Sequence, residues 1–365
     1  MPSIMSISTY TPPNTLNQNT TTEFARELFG ESFQDIERLL TVFSNGQIDE
    51  RQFAVPMDWF KEDHSLKEKN DLYIELATKY GAEGIKKCLS NRLFLKEDVD
   101  VEDIEAIILV SSSGMATPSI DARIMNVLPF SAHTKRIPIW GLGCAGGAAG
   151  ISRAYEYCRA YPESNVLVVC IELCSLTFQR NDRSKSNLVG TSLFADGIAC
   201  ALVSGDHSSM VNKCAKSVRP VIRETMSTLM PDSEEVMGWD VRDTGLHVIF
   251  SRDIPSIIKK WLKPNVDEFL SQNKLESGQV DAFVAHPGGK KVLEAYEETL
   301  SIPESMTAVS REVLKKHGNM SSPTVLYVLE EFMKKEMAPG SYGLMAALGP
   351  GFCSELVLLQ WEGVH

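Results

Sequence analysis

The chain of 365 residues is predicted to be an α/β protein, and two observations predict this class. Continuous apolar runs typical of buried strands alternate with stretches that have helical periodicity. An internal repeat also relates residues 103–110 to residues 279–286. The repeat predicts two related halves, at residues 1–216 and 217–365, which meet after a short charged stretch.

Local patterns predict the individual elements in chain order. Residues 1–20, rich in Ser, Thr, Asn and Pro, predict a first strand with an irregular lead-in. Helical patterns cover 21–45, 65–90 and 148–160. Apolar runs rich in β-branched residues and bounded by polar ones predict buried strands at 103–110, 165–170, 198–203 and 281–285.

The composition excludes several classes of protein. A net charge of -12 argues against general nucleic-acid binding. No apolar run reaches the roughly 18–20 residues of a membrane span, and the N-terminus lacks a signal-peptide pattern. The eight cysteines show no paired metal-ligand spacing. We therefore expect a cytoplasmic enzyme with reduced thiols, no metal site, no nucleic-acid partner and no membrane span.

Cys144 is the candidate nucleophile, because it lies in a glycine-rich stretch between an apolar run and a helical pattern. At a helix start, unpaired N–H groups and the helix dipole stabilise a thiolate, so a lowered thiol pKa is expected. The same stretch also satisfies G-x-G-x-x-G at 141–146, the fingerprint of a dinucleotide site. Against that alternative, the acidic candidate Glu172 follows Gly146 by 26 residues, where about 20 is usual.

The repeat pairs Cys144 with Asn319. Glu105 precedes Cys144 by 39 residues. Asp281 precedes Asn319 by 38. The two residues are therefore expected at equivalent helix starts facing a shared cleft, with a helix N-cap as the other role of Asn319. His286 ends a predicted strand, and ligands bind beyond the carboxyl ends of strands in such sheets. The alternative is that His286 is a buried histidine of the core. Cysteine, histidine and asparagine together can perform acyl transfer.

Four motifs resemble the type III polyketide synthases, the chalcone synthase superfamily with a thiolase fold. They are Gly143-Cys144-Ala145-Gly146, His286-Pro287-Gly288-Gly289, Gly318-Asn319-Met320-Ser321-Ser322 and Leu348-Gly349-Pro350-Gly351-Phe352. The resemblance is closest to the Bacillus-type alkylpyrone synthases. It implies a five-layered α/β/α/β/α fold, a homodimer, and CoA thioesters as substrates with no cofactor.

The resemblance also implies an activity, that of an acyltransferase. Cys144 would take the acyl group of a long-chain fatty acyl-CoA. His286 and Asn319 would stabilise the enolate that malonyl-CoA forms on losing CO₂, and this carbanion would attack the Cys144 thioester. Repeated condensation and cyclisation would then give alkylpyrones or alkylresorcinol-type products.

Further residues correspond to positions that line the family's substrate cavity. Phe194 matches a gatekeeper phenylalanine, and Val248 stands at the second gatekeeper position, which is usually aromatic in plant members. The smaller valine implies more room for an aliphatic chain. Trp239 and Leu348 also depart from the plant pattern. The other lining positions are Cys174, Thr177, Gly349, Pro350, Gly351 and Thr117, the last matching a residue that reaches the partner's cavity. Arg51, Gly288 and Lys291 are candidates for contacts with CoA.

Three alternatives to this activity stand beside it. A ketoacyl synthase of the fatty-acid initiation type would catalyse a single condensation. An NAD-dependent dehydrogenase would use the glycine turn at 141–146 for its cofactor. A non-catalytic binding module would retain only the fold. The presence of Cys144, His286 and Asn319 together argues against this alternative.

Overall fold

The computed structural model describes residues 1–363 of the chain. The strands are β1 (Ser3–Tyr10), β2 (Asn14–Asn17), β3 (Glu50–Phe53), β4 (Ala106–Val110), β5 (Lys135–Ile139), β6 (Asn165–Leu173), β7 (Asp196–Ser204), β8 (Val218–Leu229), β9 (Met237–Arg242), β10 (Gly245–Phe250), β11 (Val280–Ala285), β12 (Tyr342–Gly349) and β13 (Cys353–Gly363). The α-helices are α1 (Gln18–Phe29), α2 (Ile36–Asn45), α3 (Leu66–Leu89), α4 (Ile120–Ile124), α5 (Gly146–Ala160), α6 (Lys185–Leu193), α7 (Ile254–Gln272), α8 (Lys290–Leu300), α9 (Ala308–His317) and α10 (Pro323–Lys334).

Nine strands form one mixed sheet in the order β5-β4-β6-β7-β1-β8-β13-β12-β11. In the first block, β6 runs parallel to β4 and antiparallel to β7, and β7 runs antiparallel to β1. In the second block, β12 runs parallel to β11 and antiparallel to β13, and β13 runs antiparallel to β8. The two blocks therefore share one pairing pattern, with β4 and β11 in equivalent positions. These are the strands that the sequence repeat relates.

The two blocks enclose a central helical layer. Helices α5 and α10 contact each other and contact strands of both blocks. Helix α3 covers the first block through β1, β6 and β7. Helix α7 contacts β13 on the second block and packs against α8. The layers are thus those of the expected α/β/α/β/α thiolase-like fold.

Most predicted elements agree with the structure, but the helix predicted over 21–45 is wrong. That region forms two helices, α1 and α2, separated by residues 30–35. Asn17 caps α1 by accepting a hydrogen bond from the backbone N–H of Thr20. The helix predicted over 65–90 is confirmed as α3, whose start carries a reciprocal capping box between Ser65 and Glu68. The boundary between residues 216 and 217 lies directly before β8.

The central contact between α5 and α10 is very close. A Cβ atom on Gly147 would lie 2.2 Å from the carbonyl oxygen of Ser322, and one on Gly146 would lie 3.2 Å from the Cβ of Ser322. The glycines therefore allow the two helix starts to meet. All eight cysteines are free and buried. None of the helices in residues 1–363 is both long and apolar enough to cross a membrane.

Candidate active site

Cys144 lies in the 3-10 turn Gly143–Ala145, which continues directly into α5. Its side chain is buried at 5% exposure. Gly143 has a φ of +46°, and a Cβ there would lie 2.9 Å from Cδ of Pro350. A Cβ on Gly349 would lie 2.4 Å from the carbonyl oxygen of Leu142. The loop at 349–351 therefore packs directly on the cysteine turn, and only glycine fits at these two positions.

Asn319 is the side chain that the structure brings to Cys144. The Cys144 sulfur lies 3.8 Å from Oδ1 and 3.9 Å from Nδ2 of Asn319. The Asn319 Nδ2 group donates a hydrogen bond to the carbonyl oxygen of Gly288 at 3.2 Å. The N-cap of α10 is Ser322, so the helix-cap role considered for Asn319 is wrong. Its amide is instead aimed at the cysteine.

His286 follows β11 and is 2% exposed. Its backbone N–H donates to the carbonyl oxygen of Ala346 on β12 at 2.8 Å. Neither ring nitrogen has a hydrogen-bond partner among residues 1–363. Buried polar side chains normally have such partners, so a purely structural histidine does not fit. The backbone links His286 to the site, because the carbonyl oxygen of Gly288, two residues later, accepts the hydrogen bond from Asn319.

Burial has the largest effect on the pKa values of Cys144 and His286. Burial raises the pKa of the Cys144 thiol to about 11, although hydrogen bonds from Ser321 and Asn319 act in the opposite direction. Burial lowers the pKa of His286 to about 3. The expectation that the helix start lowers the thiol pKa is therefore wrong: loss of solvation outweighs it. Burial thus favours the neutral form of each group.

A largely apolar cavity of about 580 Å³, including its open mouth, is lined by Phe194, whereas Cys144, His286 and Asn319 are not among its lining residues. Of the residues expected to line the substrate cavity, Phe194, Val248, Cys174 and Thr177 lie on its wall. Trp239 lies on it too, with its ring 6.3 Å from that of Phe194 between centroids. The sequence did not point to four further rings in the wall, those of Phe24, Phe53, Phe60 and Phe178.

Phe194 is tied to Asn319 through the backbone. The N–H of Asn319 donates to the carbonyl oxygen of Leu193, and the N–H of Ala195 donates to that of Asn319, each at 2.9 Å. These two hydrogen bonds fix the position of Asn319 relative to the cavity wall. Thr117, by contrast, is exposed and does not line this cavity.

Arg51 does not have the placement expected of a CoA contact. It is 1% exposed, and its guanidinium donates to the carbonyl oxygens of Thr191 and Phe194 at 2.7 and 2.8 Å. Burial lowers its pKa to about 9, against the opposing effect of Asp196. The prediction of a phosphate contact at Arg51 is therefore corrected: the guanidinium holds the backbone of the cavity wall. Lys291 is exposed in the first turn of α8.

Glu172 lies on β6, and its side chain is 1% exposed. Its carboxyl group lies between Ser112 of the N-terminal half and Ser322 of the C-terminal half. Both of its oxygens accept from the backbone N–H of Ser112, and one also accepts from Oγ of Ser322 at 2.9 Å. Burial raises its pKa to about 7. The sequence alone indicates Glu172 only as the acid of a dinucleotide site. The contact of Gly146 and Gly147 with Ser322 leaves no room for a pyrophosphate at the start of α5, which argues against that role.

Comparison with known proteins places the chain in a family. Sequence profiles of the N-terminal and C-terminal domains of chalcone and stilbene synthases match residues 2–207 and 221–361. The chain is 53% identical over 364 residues to the "Putative chalcone synthase" of Bacillus subtilis, with 98% of each protein covered. It is 31% identical over 365 residues to an alpha-pyrone synthesis polyketide synthase-like protein of Mycobacterium tuberculosis, covering 98% of this chain and 90% of that protein.

A solved structure agrees with these matches. The crystal structure of 1,3,6,8-tetrahydroxynaphthalene synthase from Streptomyces coelicolor, a bacterial type III polyketide synthase, superposes with a TM-score of 0.91 at 29% identity. The superposition covers 99% of both chains. The chain therefore belongs to the chalcone and stilbene synthase family and is a type III polyketide synthase, a condensing transferase.

Proposed function

We propose that this type III polyketide synthase condenses a long-chain fatty acyl-CoA with malonyl-CoA and cyclises the product to alkylpyrones. The apolar cavity behind Phe194 is the observation that carries this proposal. Aromatic and aliphatic groups form most of its wall, beside several hydroxyl groups, one amide and the buried Arg51, so a hydrocarbon chain gains free energy by leaving water there. A relative at 31% identity is named for alpha-pyrone synthesis.

Cys144 serves as the nucleophile of this reaction. Its sulfur attacks the thioester carbonyl of the acyl-CoA, the bond to the CoA sulfur breaks, and CoA leaves as a thiol. The thiol proton must be removed for this attack, because burial raises the pKa of Cys144. His286, whose ring nitrogens have no hydrogen-bond partner among residues 1–363, is the group that accepts that proton in this proposal.

His286 and Asn319 serve the condensation step. Malonyl-CoA loses CO₂, and the electrons of the broken carbon–carbon bond form an enolate on the remaining thioester. Hydrogen bonds from Asn319 Nδ2 and from the imidazole stabilise its oxygen. The carbanion then attacks the Cys144 thioester, which releases the sulfur and gives a β-ketoacyl-CoA. Removal of one such donor reduces the rate by about 10²–10³.

The wall beside Phe194 sets the width available to the starter. Val248 lies opposite Trp239 in the hairpin of β9 and β10, and its side chain is shorter than the aromatic ring usual at this gatekeeper position in plant members. Gly190 adds further space, since a Cβ there would lie 3.4 Å from both Phe194 and Val248. These small residues support an aliphatic rather than an aromatic starter.

The remaining expected contacts belong to the same proposal. Gly288 and Lys291 flank the CoA arm, with the ammonium group of Lys291 available to a phosphate. The enzyme works as a homodimer, in which Thr117 of one protomer contacts the cavity of the other. CoA thioesters are the substrates and the enzyme needs no separate cofactor.

A starter series tests the proposed function. The wild type, Cys144→Ala and Val248→Phe are incubated with malonyl-CoA and with acyl-CoAs of increasing length, and product masses are read. The wild type should form triketide and tetraketide pyrones from long starters. Cys144→Ala should form none and should show no acyl adduct in its intact mass. Val248→Phe should lose about tenfold in kcat/KM for long starters, because the added ring overfills the wall.

Each outcome has a contrary result. A single β-ketoacyl product from every starter would identify a ketoacyl synthase of the initiation type. Pyrone synthesis by Cys144→Ala would contradict the covalent mechanism, and unchanged turnover of long starters by Val248→Phe would contradict the cavity argument. Short starters serve as the control in the Val248→Phe measurement, since they do not extend far along the wall.

A further inference from the structure

Two residues of the apolar cavity also line a second cavity of opposite character. The second cavity has an empty volume of about 1170 Å³, including its open mouth, and shares Phe60 and Phe178 with the first. Its other lining groups are mostly charged or polar, including Lys69, Arg180 and Asp182. The two phenylalanines are therefore the boundary between an apolar space and a polar one that opens to solvent.

The boundary is a packed set of three rings, those of Phe24, Phe60 and Phe178, here called the phenylalanine partition. The rings of Phe60 and Phe178 meet edge to face, with centroids 5.6 Å apart and planes at 88°. The ring of Phe24 lies 5.9 Å from that of Phe178 and 6.3 Å from that of Phe60. Phe53 supports Phe60 from the cavity side at 5.7 Å. Such tilted and edge-to-face arrangements are favourable for aromatic rings.

We propose that the phenylalanine partition is the distal end of the acyl-binding cavity and sets the longest starter chain that the enzyme accepts. This inference rests on the proposed function, since it assumes that the apolar cavity holds the starter. It assigns a specificity-determining role to Phe60 and Phe178, which lie in two segments distant in sequence. Phe60 belongs to the 3-10 turn Met57–Lys61, and Phe178 follows the turn Cys174–Thr177.

Phe178 is the better placed of the two to act as the stop. The turn that precedes it contributes Cys174 and Thr177 to the cavity wall, so one short segment supplies both side and end. Its carbonyl oxygen accepts a hydrogen bond from the ammonium group of Lys69 at 3.0 Å. That ammonium also donates to Gln179 Oε1 at 3.1 Å. The backbone behind the ring is thus anchored from the polar side.

The charged and polar lining of the second cavity makes no favourable contact with the end of an alkyl chain. Beside Lys69 it contains His247, whose Nδ1 lies 3.3 Å from Oδ2 of Asp182. A methylene that leaves water for the apolar cavity improves binding by about fourfold. A methylene that passed the partition would meet charged groups and water and would lose this gain. Binding should therefore improve with chain length up to the partition and then stop.

The test compares wild type, Phe178→Ala and Trp59→Ala with straight-chain acyl-CoAs lengthened two carbons at a time. Trp59 lines only the polar cavity, where it stacks on His64 with centroids 3.5 Å apart, and so it is the matched control. Readouts are kcat/KM and the mass of acylated Cys144. Wild type and Trp59→Ala should share one length limit. Phe178→Ala should accept longer chains, so that its length limit lies at least two carbons above that of the wild type.

The outcomes separate the two proposals. A wild type that loads no long-chain starter contradicts the proposed function itself. A wild type that loads long chains, with the same limit in Phe178→Ala, overturns only the partition. An equal shift of the limit in Trp59→Ala also overturns it, because the polar cavity would then set the length. Phe178→Leu keeps an apolar side chain in the fold and gives the same test with a smaller expected shift, should the alanine variant fail to fold.

Discussion

At the scale of single residues, the site is distinguished by the charged groups buried around it. Asp196 is 0% exposed; it accepts from the backbone N–H groups of Ala54 and Ser175, and burial raises its pKa to about 6. Arg51 is buried in its vicinity; its Nη1 donates to two backbone carbonyls and its Nη2 to Oε1 of Gln18, while its Nε has no partner among residues 1–363. Such hydrogen bonds offset part of the cost of burying a charge. These residues hold the chain segments that carry Phe194 and Asn319.

Glu172 predicts a pH dependence of stability. Its carboxyl group has a pKa of about 7 in the fold against an ordinary value of 4.5, so it is protonated in the fold and ionised in the unfolded chain between these values. The free energy of unfolding must therefore fall as pH rises through this window, by about 3 kcal/mol from this group. Glu172→Gln, which stays neutral, should flatten the fall. Urea unfolding of wild type and variant between pH 5 and pH 8 measures it.

Asp196 contributes to the same fall with the same sign, since burial also raises its pKa. The comparison of slopes between wild type and Glu172→Gln isolates the share of Glu172. Identical slopes in the two proteins would show that Glu172 is ionised in the fold throughout this range.

The sequence predicted residue types at the site better than it predicted their surroundings. The pairing of Cys144 with Asn319 followed from two nearly equal spacings, and the structure confirms the contact at 3.8 Å. The basic side chain of Arg51 makes it a candidate for a contact with CoA. In the structure it is buried against α1 and α6, and the order of residues along the chain does not reveal this burial. The same holds for Cys144, where burial by distant segments reverses the expected pKa direction.

At the scale of elements, the contact between α5 and α10 is the critical packing of the site. Gly147→Ala should destabilise the protein by about 1–3 kcal/mol, because its Cβ would lie 2.2 Å from the backbone oxygen of Ser322 and neither backbone can move freely. Gly278→Ala is the matched control, since a Cβ there meets nothing within 4 Å. The measurement is the free energy of unfolding of both variants. Equal small effects would mean that the helices can separate without cost.

Elements with strong local signals were predictable, and elements that depend on neighbours were not. Helix α3 has a capping box and a long helical pattern, and its predicted bounds differ from the observed ones by one residue at each end. Strand β8 contains Pro220 and is buried only at residues 220–222, and the rest of it is partly or fully exposed, so it lacks a continuous apolar run. Its pairing with β13 and β1 defines it. The phenylalanine partition escaped prediction because its three rings come from three separate segments.

At the scale of the whole molecule, the sheet leaves β5 as an edge strand. Trp140, directly after it, is 52% exposed, and Val127 is 58% exposed. An open strand edge with large apolar neighbours favours pairing with another chain. Trp140→Lys should therefore weaken the proposed homodimer, with light scattering at several protein concentrations as the measurement. Leu93→Lys, a substitution at an equally exposed leucine at 59%, should leave the mass unchanged.

A dimer that is equally stable in both variants would remove Trp140 from the interface. A loss of dimer in Leu93→Lys alone would relocate the interface to the turn that follows α3. The proposed position of Thr117 in the partner's cavity depends on the first arrangement, because Thr117 lies in the loop between β4 and α4, near the exposed Met115.

The packing of Pro350 on Gly143 also fixes when, during synthesis, the reactive cysteine becomes functional. Cys144 leaves the ribosome 206 residues before Pro350, an interval of about 10–40 s at ordinary elongation rates. Until the loop at 349–351 is synthesised, the turn lacks the cover that Gly349 and Pro350 provide. A nascent chain therefore completes the packing around Cys144 only when nearly all of its residues have been made.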